Sequence, residues 1–139
     1  MIRLVIADDH PIVRAGLVAL FSLEEDFEVL AEAGTPDEAA DLAERTNPDV
    51  VLMDLQFGSQ QTVTGADATR RIRALEAPPY VLVLTNYDSD SDILNAVEAG
   101  ASGYLLKDAP PHELIAAVRA AAAGESALAP VIASRLLNR

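Results

Sequence analysis

Five short apolar segments alternate along the chain with five segments of helical periodicity. Residues 50–53, 80–84 and 103–106 are nearly continuous apolar runs, and residues 2–7 form a similar run rich in β-branched side chains. Residues 27–33 instead alternate between apolar and polar positions. Continuous runs of this length are typical of strands buried on both faces of a parallel sheet, whereas an alternating run is typical of a half-exposed strand.

The segments between these runs repeat their apolar positions every three to four residues, as helices with one buried face do. The first of them is predicted to place four apolar side chains on one side: Ile12, Leu17, Leu20 and Phe21. Thr35 is the expected N-cap of the second helix, with Pro36 at its first helical position. Gly100 and Gly124 follow the last two helices, where glycine commonly ends a helix.

Strict alternation of strands and helices predicts a parallel sheet with helices on both faces. We therefore expect an α/β fold, a doubly wound, flavodoxin-like five-stranded parallel sheet with five helices and with ligands at the carboxyl ends of the strands. Residues 1–124 are predicted as one domain. Residues 125–139 are predicted as a linker and the start of a connector helix.

Composition narrows the classes of function. The chain has 139 residues, enough for one domain, and a formal net charge of −12. Such a charge disfavours direct binding to the phosphates of nucleic acid and suits cations or a basic partner. There is no cysteine, which excludes disulfides and thiolate sites. No apolar run reaches the roughly 20 residues that a membrane helix needs, so we expect a cytoplasmic protein without a membrane partner.

Polar side chains stand where four of the predicted strands end. Asp8 and Asp9 follow the first strand, Asp54 the third, Thr85 the fourth and Lys107 the fifth. If the strands follow the order 2-1-3-4-5 that is common in this class, these strands are contiguous and their carboxyl ends share one edge. Three carboxylates, a hydroxyl and an ammonium are then expected to meet there.

Three neighbouring carboxylates need a counter-charge, because like charges raise one another's pKa. Mg²⁺ suits such oxygen ligands. With no cysteine, and with His10 as the only nearby imidazole, a softer metal is not expected, and His10 is predicted mainly to shape the turn into the first helix. A carboxylate beside the metal can act as a nucleophile towards phosphorus, with Lys107 and Thr85 stabilising the transferred group.

The motifs around these residues resemble the receiver domain of bacterial response regulators. The similar segments are Asp8-Asp9-His10-Pro11, Met53-Asp54-Leu55, Leu84-Thr85 and residues 100–108, Gly-Ala-Ser-Gly-Tyr-Leu-Leu-Lys-Asp. The resemblance covers about residues 2–124, and its details are similar to the NarL/FixJ-type branch. It also implies the strand order 2-1-3-4-5.

The resemblance implies a role for each site residue. Asp54 would accept a phosphoryl group from the histidine of a sensor kinase. Asp9, Asp54 and the backbone carbonyl of Gln56 would bind Mg²⁺ directly, and Asp8 would act through a coordinated water. Lys107 would pair with Asp54 and then with the phosphate. Thr85 would move towards the phosphate and let Tyr104 rotate inward, which couples the phosphorylation site to the surface of the fourth helix, fifth strand and fifth helix.

The resemblance also implies partners. The protein would be a signalling phosphoacceptor rather than an enzyme with a separate substrate, because it would catalyse only its own phosphoryl transfer and dephosphorylation. Phosphorylation would favour a homodimer. Alanines on the last helix could let a second helix approach, or could pack on their own sheet: Ala116, Ala117, Ala120 and Ala121. DNA would be bound only through a C-terminal helix-turn-helix domain, which is absent from this sequence.

Two departures from the receiver pattern stand near the site. Residues 57–65 form a longer connection than usual, without the proline that commonly follows the phosphoacceptor, and they are expected to be mobile. Lys107 is followed by Asp108 instead of the proline often found there, which leaves the isomer of that peptide bond open.

Three other functions fit this sequence less well than that of a receiver. An aspartate-nucleophile phosphatase would carry a second acid two residues after the first, but Gln56 stands there. A flavin-binding protein would have an anion-binding loop after the first strand, where Asp8 and Asp9 would repel a phosphate that lacks a metal. A degenerate receiver that acts only as an interaction module is disfavoured by the complete set of acids, Thr85 and Lys107.

Overall fold

The computed structural model of the chain describes residues 1–55, 64–85, 90–125 and 127–128. Its strands are β1 (Ile2–Ala7), β2 (Phe27–Ala33), β3 (Val50–Asp54), β4 (Tyr80–Thr85), β5 (Gly103–Leu106) and β6 (Ala127–Leu128). Its helices are α1 (Pro11–Ser22), α2 (Pro36–Thr46), α3 (Gly65–Arg73), α4 (Asp90–Glu98) and α5 (Pro111–Ala122).

The sheet has the strand order β2-β1-β3-β4-β5-β6, and every neighbouring pair is parallel. The first five strands confirm the predicted doubly wound fold with the order 2-1-3-4-5. The two-residue β6 was not predicted, because two residues are too short to show a periodicity. This strand lies within residues 125–139, which were predicted as a linker and the start of a connector helix, and it pairs with Gly103 and Tyr104 of β5. The domain boundary at residue 124 stays a prediction.

Side chains alternate between two cores on opposite faces of the sheet, as the two-residue period of a strand requires. One core joins strand residues to α1 and α5, with members such as Leu4, Ile6, Val50, Leu52, Leu17, Phe21, Leu114 and Val118. The other joins the alternate strand residues to α2, α3 and α4, with members such as Val5, Val51, Met53, Ala40, Ala43, Ile72, Ala96 and Tyr104. Helices on both faces therefore explain why the central strands are apolar throughout.

One predicted core position is wrong. Ile12 is 87% exposed, while Leu17 and Phe21 on the same helix are buried. Ile12 precedes Leu17 by five residues, which corresponds to about 140° around a helix with 3.6 residues per turn. Ile12 therefore faces solvent near the N-terminus of α1.

The helix ends follow the local signals of the sequence. The Thr35 hydroxyl accepts a hydrogen bond from the Glu38 N–H at 3.1 Å and caps α2, as predicted. Gly100 and Gly124 have φ values of 102° and 81°, which L side chains rarely adopt, and they follow α4 and α5. On α5, Ala117 and Ala121 are buried in the core against their own sheet. These two of the four alanines are therefore not available for contact with a helix of a second molecule.

Candidate functional site

The predicted site residues lie at one edge of the sheet. Ala7 at the end of β1 pairs with Met53, Asp54 pairs with Leu84, and Thr85 pairs with Leu106. This register brings the carboxyl ends of β1, β3, β4 and β5 together. Asp8 and Asp54 are each only 1% exposed, so two of the three carboxylates are buried at this edge.

Lys107 joins the two buried carboxylates. Its Nζ lies 2.9 Å from Asp8 Oδ2 and 3.2 Å from Asp54 Oδ2, and its side chain is 9% exposed. Burial by itself would lower the pKa of the ammonium, but the hydrogen bond from Lys107 to Asp8 and the negative charges of Asp54 and Asp8 raise the pKa above its ordinary value. Lys107 is therefore a charged bridge across the site at neutral pH.

The turn after β1 is held by backbone and side-chain hydrogen bonds. The His10 N–H donates to Asp8 Oδ1 at 2.8 Å, and this bond closes the turn into α1. Arg14 on α1 donates from Nη1 to the Asp8 carbonyl at 2.6 Å, and its Nε lies 3.3 Å from Glu32 Oε1 on β2. No sequence pattern predicts this role of Arg14, because Arg14 lies within a helix, away from the strand ends that mark the other site residues.

The His10 side chain also lies in the site. Its Nδ1 is 3.0 Å from Asp9 Oδ1 and 3.2 Å from Asp8 Oδ1. One ligand atom from each of Asp8, Asp9, His10 and Asp54 lies within 4.8 Å of the others. The expectation that His10 shapes the turn is confirmed by its backbone bond. The imidazole additionally lies among the carboxylates, which a role in the turn alone does not require.

The residues present fit a bound divalent cation. The cluster holds three carboxylates, and the single ammonium of Lys107 contacts two of them, so the cluster has an excess of negative charge that a divalent cation would neutralise. Carboxylate oxygens are the donors that Mg²⁺ prefers. A pocket of about 280 Å³ lined by His10, Val13, Lys107 and Asp108 opens beside the cluster and gives access from solvent.

The remaining predicted residues divide into two groups. Thr85 ends β4 and Tyr104 lies on β5, and both are fully buried. Tyr104 belongs to the core shared with Ala96 of α4 and with Ala99, which follows that helix, so in this structure its ring is already inside. Gln56 and the segment 57–63 lie outside the described residues, and the predictions made for them stay predictions.

The structure contains no cis peptide bond within the ranges it describes, so Lys107 and Asp108 are joined in the trans form.

The end of β3 is fixed by a close approach from α3. A Cβ atom added to Gly65, the first residue of α3, would lie 2.5 Å from the Asp54 carbonyl oxygen and 2.8 Å from Leu55 Cα. The Leu55 N–H donates to the Leu84 carbonyl at 2.8 Å and extends the sheet beyond Asp54. The backbone of Asp54 is therefore held between the sheet and the N-terminus of α3.

Comparison with known proteins identifies the family. Residues 4–119 match the response regulator receiver domain. The chain belongs to the response regulator receiver family. It is 39% identical over 139 residues to the transcriptional regulatory protein LiaR of Bacillus subtilis, which corresponds to 100% of this chain and 64% of LiaR. It is 37% identical to the nitrate/nitrite response regulator protein NarP of Escherichia coli over 99% of this chain and 62% of NarP.

Solved structures agree with this assignment. A two-component response regulator of the LuxR family from Aurantimonas sp. SI85-9A1 superposes with a TM-score of 0.90 at 38% identity, covering 99% of this chain and 96% of that one. These matches confirm the predicted resemblance to receivers of NarL/LuxR-type regulators. The receiver spans less than two thirds of the length of the curated relatives it matches. Among the described residues, no helix has the length and apolar character needed to cross a membrane.

Proposed function

We propose that this receiver accepts a phosphoryl group on Asp54 from the phosphohistidine of a sensor histidine kinase, with Mg²⁺ bound at the acidic cluster. The observation that carries the proposal is the position of Asp54, a buried carboxylate within 3.2 Å of the Lys107 ammonium and within a group of possible metal ligands. Membership of the receiver family supports the choice of a phosphoryl donor over other substrates.

In the proposed reaction, a carboxylate oxygen of Asp54 forms a bond to phosphorus while the bond between phosphorus and the donor nitrogen breaks. The electron pair of that bond stays with the imidazole of the kinase. Bound Mg²⁺ would supply positive charge to the phosphoryl oxygens. Lys107, already beside Asp54, supplies a second positive charge without a large movement, and fixed charges of this kind stabilise the transferred group.

The geometry supports different roles for the two acids after β1. Asp8 is held by three groups of the protein: His10 N–H on Oδ1, Lys107 on Oδ2 and Arg14 on the backbone carbonyl. Asp9 is 21% exposed and lies closer to solvent. We therefore assign Asp9 and Asp54 as direct ligands of Mg²⁺, with the Gln56 carbonyl as the third, and Asp8 as an outer residue that acts through a water.

Phosphorylation would act on the rest of the protein through Thr85 and Tyr104. Thr85 ends the strand next to Asp54, and Tyr104 packs against α4, so a shift of Thr85 towards the phosphate would change the packing of Tyr104 and α4. We propose that this change favours a homodimer of the full-length protein and controls DNA binding by a C-terminal domain. The regulators that this chain matches are longer than the chain itself, which supports the second part.

The experiment is incubation with Mg²⁺ and a small phosphodonor such as acetyl phosphate, followed by intact-mass measurement. Wild type should gain the mass of one phosphoryl group, and Asp54→Asn should not. Removal of Mg²⁺ by a chelator should abolish the gain. A wild-type mass that stays unchanged with several donors, or a gain that persists in Asp54→Asn, would contradict the proposal.

A further inference from the structure

The side chain of His10 is not needed to close the turn that it occupies, and its Nδ1 lies within hydrogen-bond distance of both Asp8 and Asp9. The turn is closed by the His10 backbone N–H, a group that nearly every residue possesses. His10 is the N-cap residue of α1, but its side chain makes no capping hydrogen bond. The imidazole is 57% exposed, so it contributes little to the core. The imidazole therefore contributes to the acidic cluster, through its contacts with Asp8 and Asp9, rather than to the turn or the core.

The spacing of the imidazole matches that of a metal ligand. Two ligands at right angles around an ion, each about 2.1 Å away, lie about 3.0 Å apart. Nδ1 of His10 lies 3.0 Å from Asp9 Oδ1, and the ligand atoms of Asp8, Asp9, His10 and Asp54 all lie within 4.8 Å of one another. The imidazole nitrogen is thus close enough to share an ion with Asp9 and Asp54.

The chemistry of the donor decides which ion benefits. Mg²⁺ selects oxygen ligands and retains its waters, so an imidazole adds little to its binding. Ions of the first transition row accept imidazole nitrogen readily, with an affinity that rises from Mn²⁺ to Ni²⁺ and Cu²⁺. We infer that His10 is a direct nitrogen ligand when the site holds a divalent ion of the first transition row, which adapts this receiver to such ions besides Mg²⁺. The inference rests on the proposed function only for the location of the metal at Asp9 and Asp54.

Two histidines in the chain provide a matched comparison. His112 lies on the exposed side of α5, so His112→Ala removes an imidazole from elsewhere on the surface. Untagged wild type, His10→Ala and His112→Ala would be titrated with Ni²⁺ and with Mg²⁺ by calorimetry at about pH 8, where free imidazole is neutral. Because His10 is largely exposed, its replacement should leave the fold intact, and circular dichroism would verify this.

The expected result is selective. Loss of a group that only supports a metal ligand typically weakens metal binding roughly 10–100-fold, and loss of a direct ligand should cost at least as much. His10→Ala should therefore weaken Ni²⁺ binding by roughly 10–100-fold or more, and should leave the Mg²⁺ affinity within about twofold of wild type. His112→Ala should change neither. In pulsed EPR, Mn²⁺-loaded wild type and His112→Ala should show coupling to a ¹⁴N nucleus, which His10→Ala should lack.

Other outcomes would distinguish an error in the role of His10 from an error in the proposed metal site. Equal weakening of Ni²⁺ and Mg²⁺ in His10→Ala would mean that His10 only positions the acids, and unchanged Ni²⁺ affinity would mean that it does not bind the ion. Either result overturns the inference while the proposed function stands. If Asp9→Asn leaves the Mg²⁺ affinity of the protein unchanged, the proposed metal site itself is wrong, and the inference falls with it.

Discussion

Gly65→Ala is the substitution for which the structure makes the sharpest stability prediction. The new Cβ would lie 2.5 Å from the Asp54 carbonyl oxygen, 2.8 Å from Leu55 Cα and 2.9 Å from the Leu55 carbonyl oxygen. Atoms at such distances repel strongly, so either α3 or the end of β3 must move. The atoms in the way belong to backbone, and the Leu55 N–H is bonded to Leu84 in the sheet, so a side-chain rotation cannot relieve the contact.

The expected magnitude follows from two opposing effects. Inserting a methyl group into well-packed surroundings typically costs about 1–3 kcal/mol. Alanine has a better helix propensity than glycine by at most about 1 kcal/mol in a helix interior, and Gly65 is only the first residue of α3. Because the neighbouring atoms are backbone, we expect the upper part of the range, and a net loss of about 2 kcal/mol in the free energy of unfolding.

Gly16→Ala is the matched control. Gly16 lies inside α1, is exposed, and has no heavy atom within 4 Å of an added Cβ. The same substitution there should stabilise the protein by about 0.5–1 kcal/mol. Urea denaturation of both variants and wild type measures the difference. A Gly65→Ala variant as stable as wild type would refute the reasoning, as would equal effects of the two substitutions.

Three further perturbations test individual contacts. Lys107→Met removes the counter-ion of two buried carboxylates, those of Asp8 and Asp54. It should lower the free energy of unfolding of the metal-free protein, measured by urea denaturation, by about 3–5 kcal/mol, and added Mg²⁺ should recover part of this loss. Thr64→Ala removes the hydroxyl that accepts from the Asp67 N–H in the capping box of α3 and should cost about 1 kcal/mol by the same assay. The hydrogen bond from Arg119 holds the pKa of Asp26 below its ordinary value, so the pair stabilises the folded state above about pH 4 and loses this effect as the pH falls through the lowered pKa. The urea midpoint of Asp26→Asn should therefore lie below that of wild type at pH 7, and the difference should shrink as the pH falls below the ordinary pKa of a carboxyl group; a constant difference would contradict this assignment.

The sequence predicts the fold because its main signals are repeated and local. The continuous apolar runs of β1, β3, β4 and β5 each indicate a strand covered on both faces, and the structure places a core on each side of them. Burial on both faces leaves polar residues only at strand ends. The sequence therefore predicts that Asp54 and Lys107 lie at the same edge of the sheet. In the structure, Lys107 Nζ lies 3.2 Å from Asp54 Oδ2.

Features that depend on contacts between distant segments could not be predicted in this way. The close approach of Gly65 to Asp54 depends on the angle at which α3 meets the sheet. The bond from Arg14 to the Asp8 carbonyl depends on how α1 lies across the end of β1. The two-residue β6 is defined by its pairing with β5, a strand more than twenty residues away along the chain. None of these leaves a periodic pattern or a charge pattern along the chain.

The acidic cluster shows how such contacts make a site out of residues that repel one another. The carboxylates of Asp8, Asp9 and Asp54 lie close together and repel one another, and Lys107 contacts only those of Asp8 and Asp54. Arg14 anchors the Asp8 backbone from α1, and α3 presses on the Asp54 backbone through Gly65. Both contacts act on backbone atoms, so the carboxylate oxygens stay available to the cluster. The fold thus maintains an excess of negative charge at this edge of the sheet, and this excess is the physical basis of the cation binding that we propose.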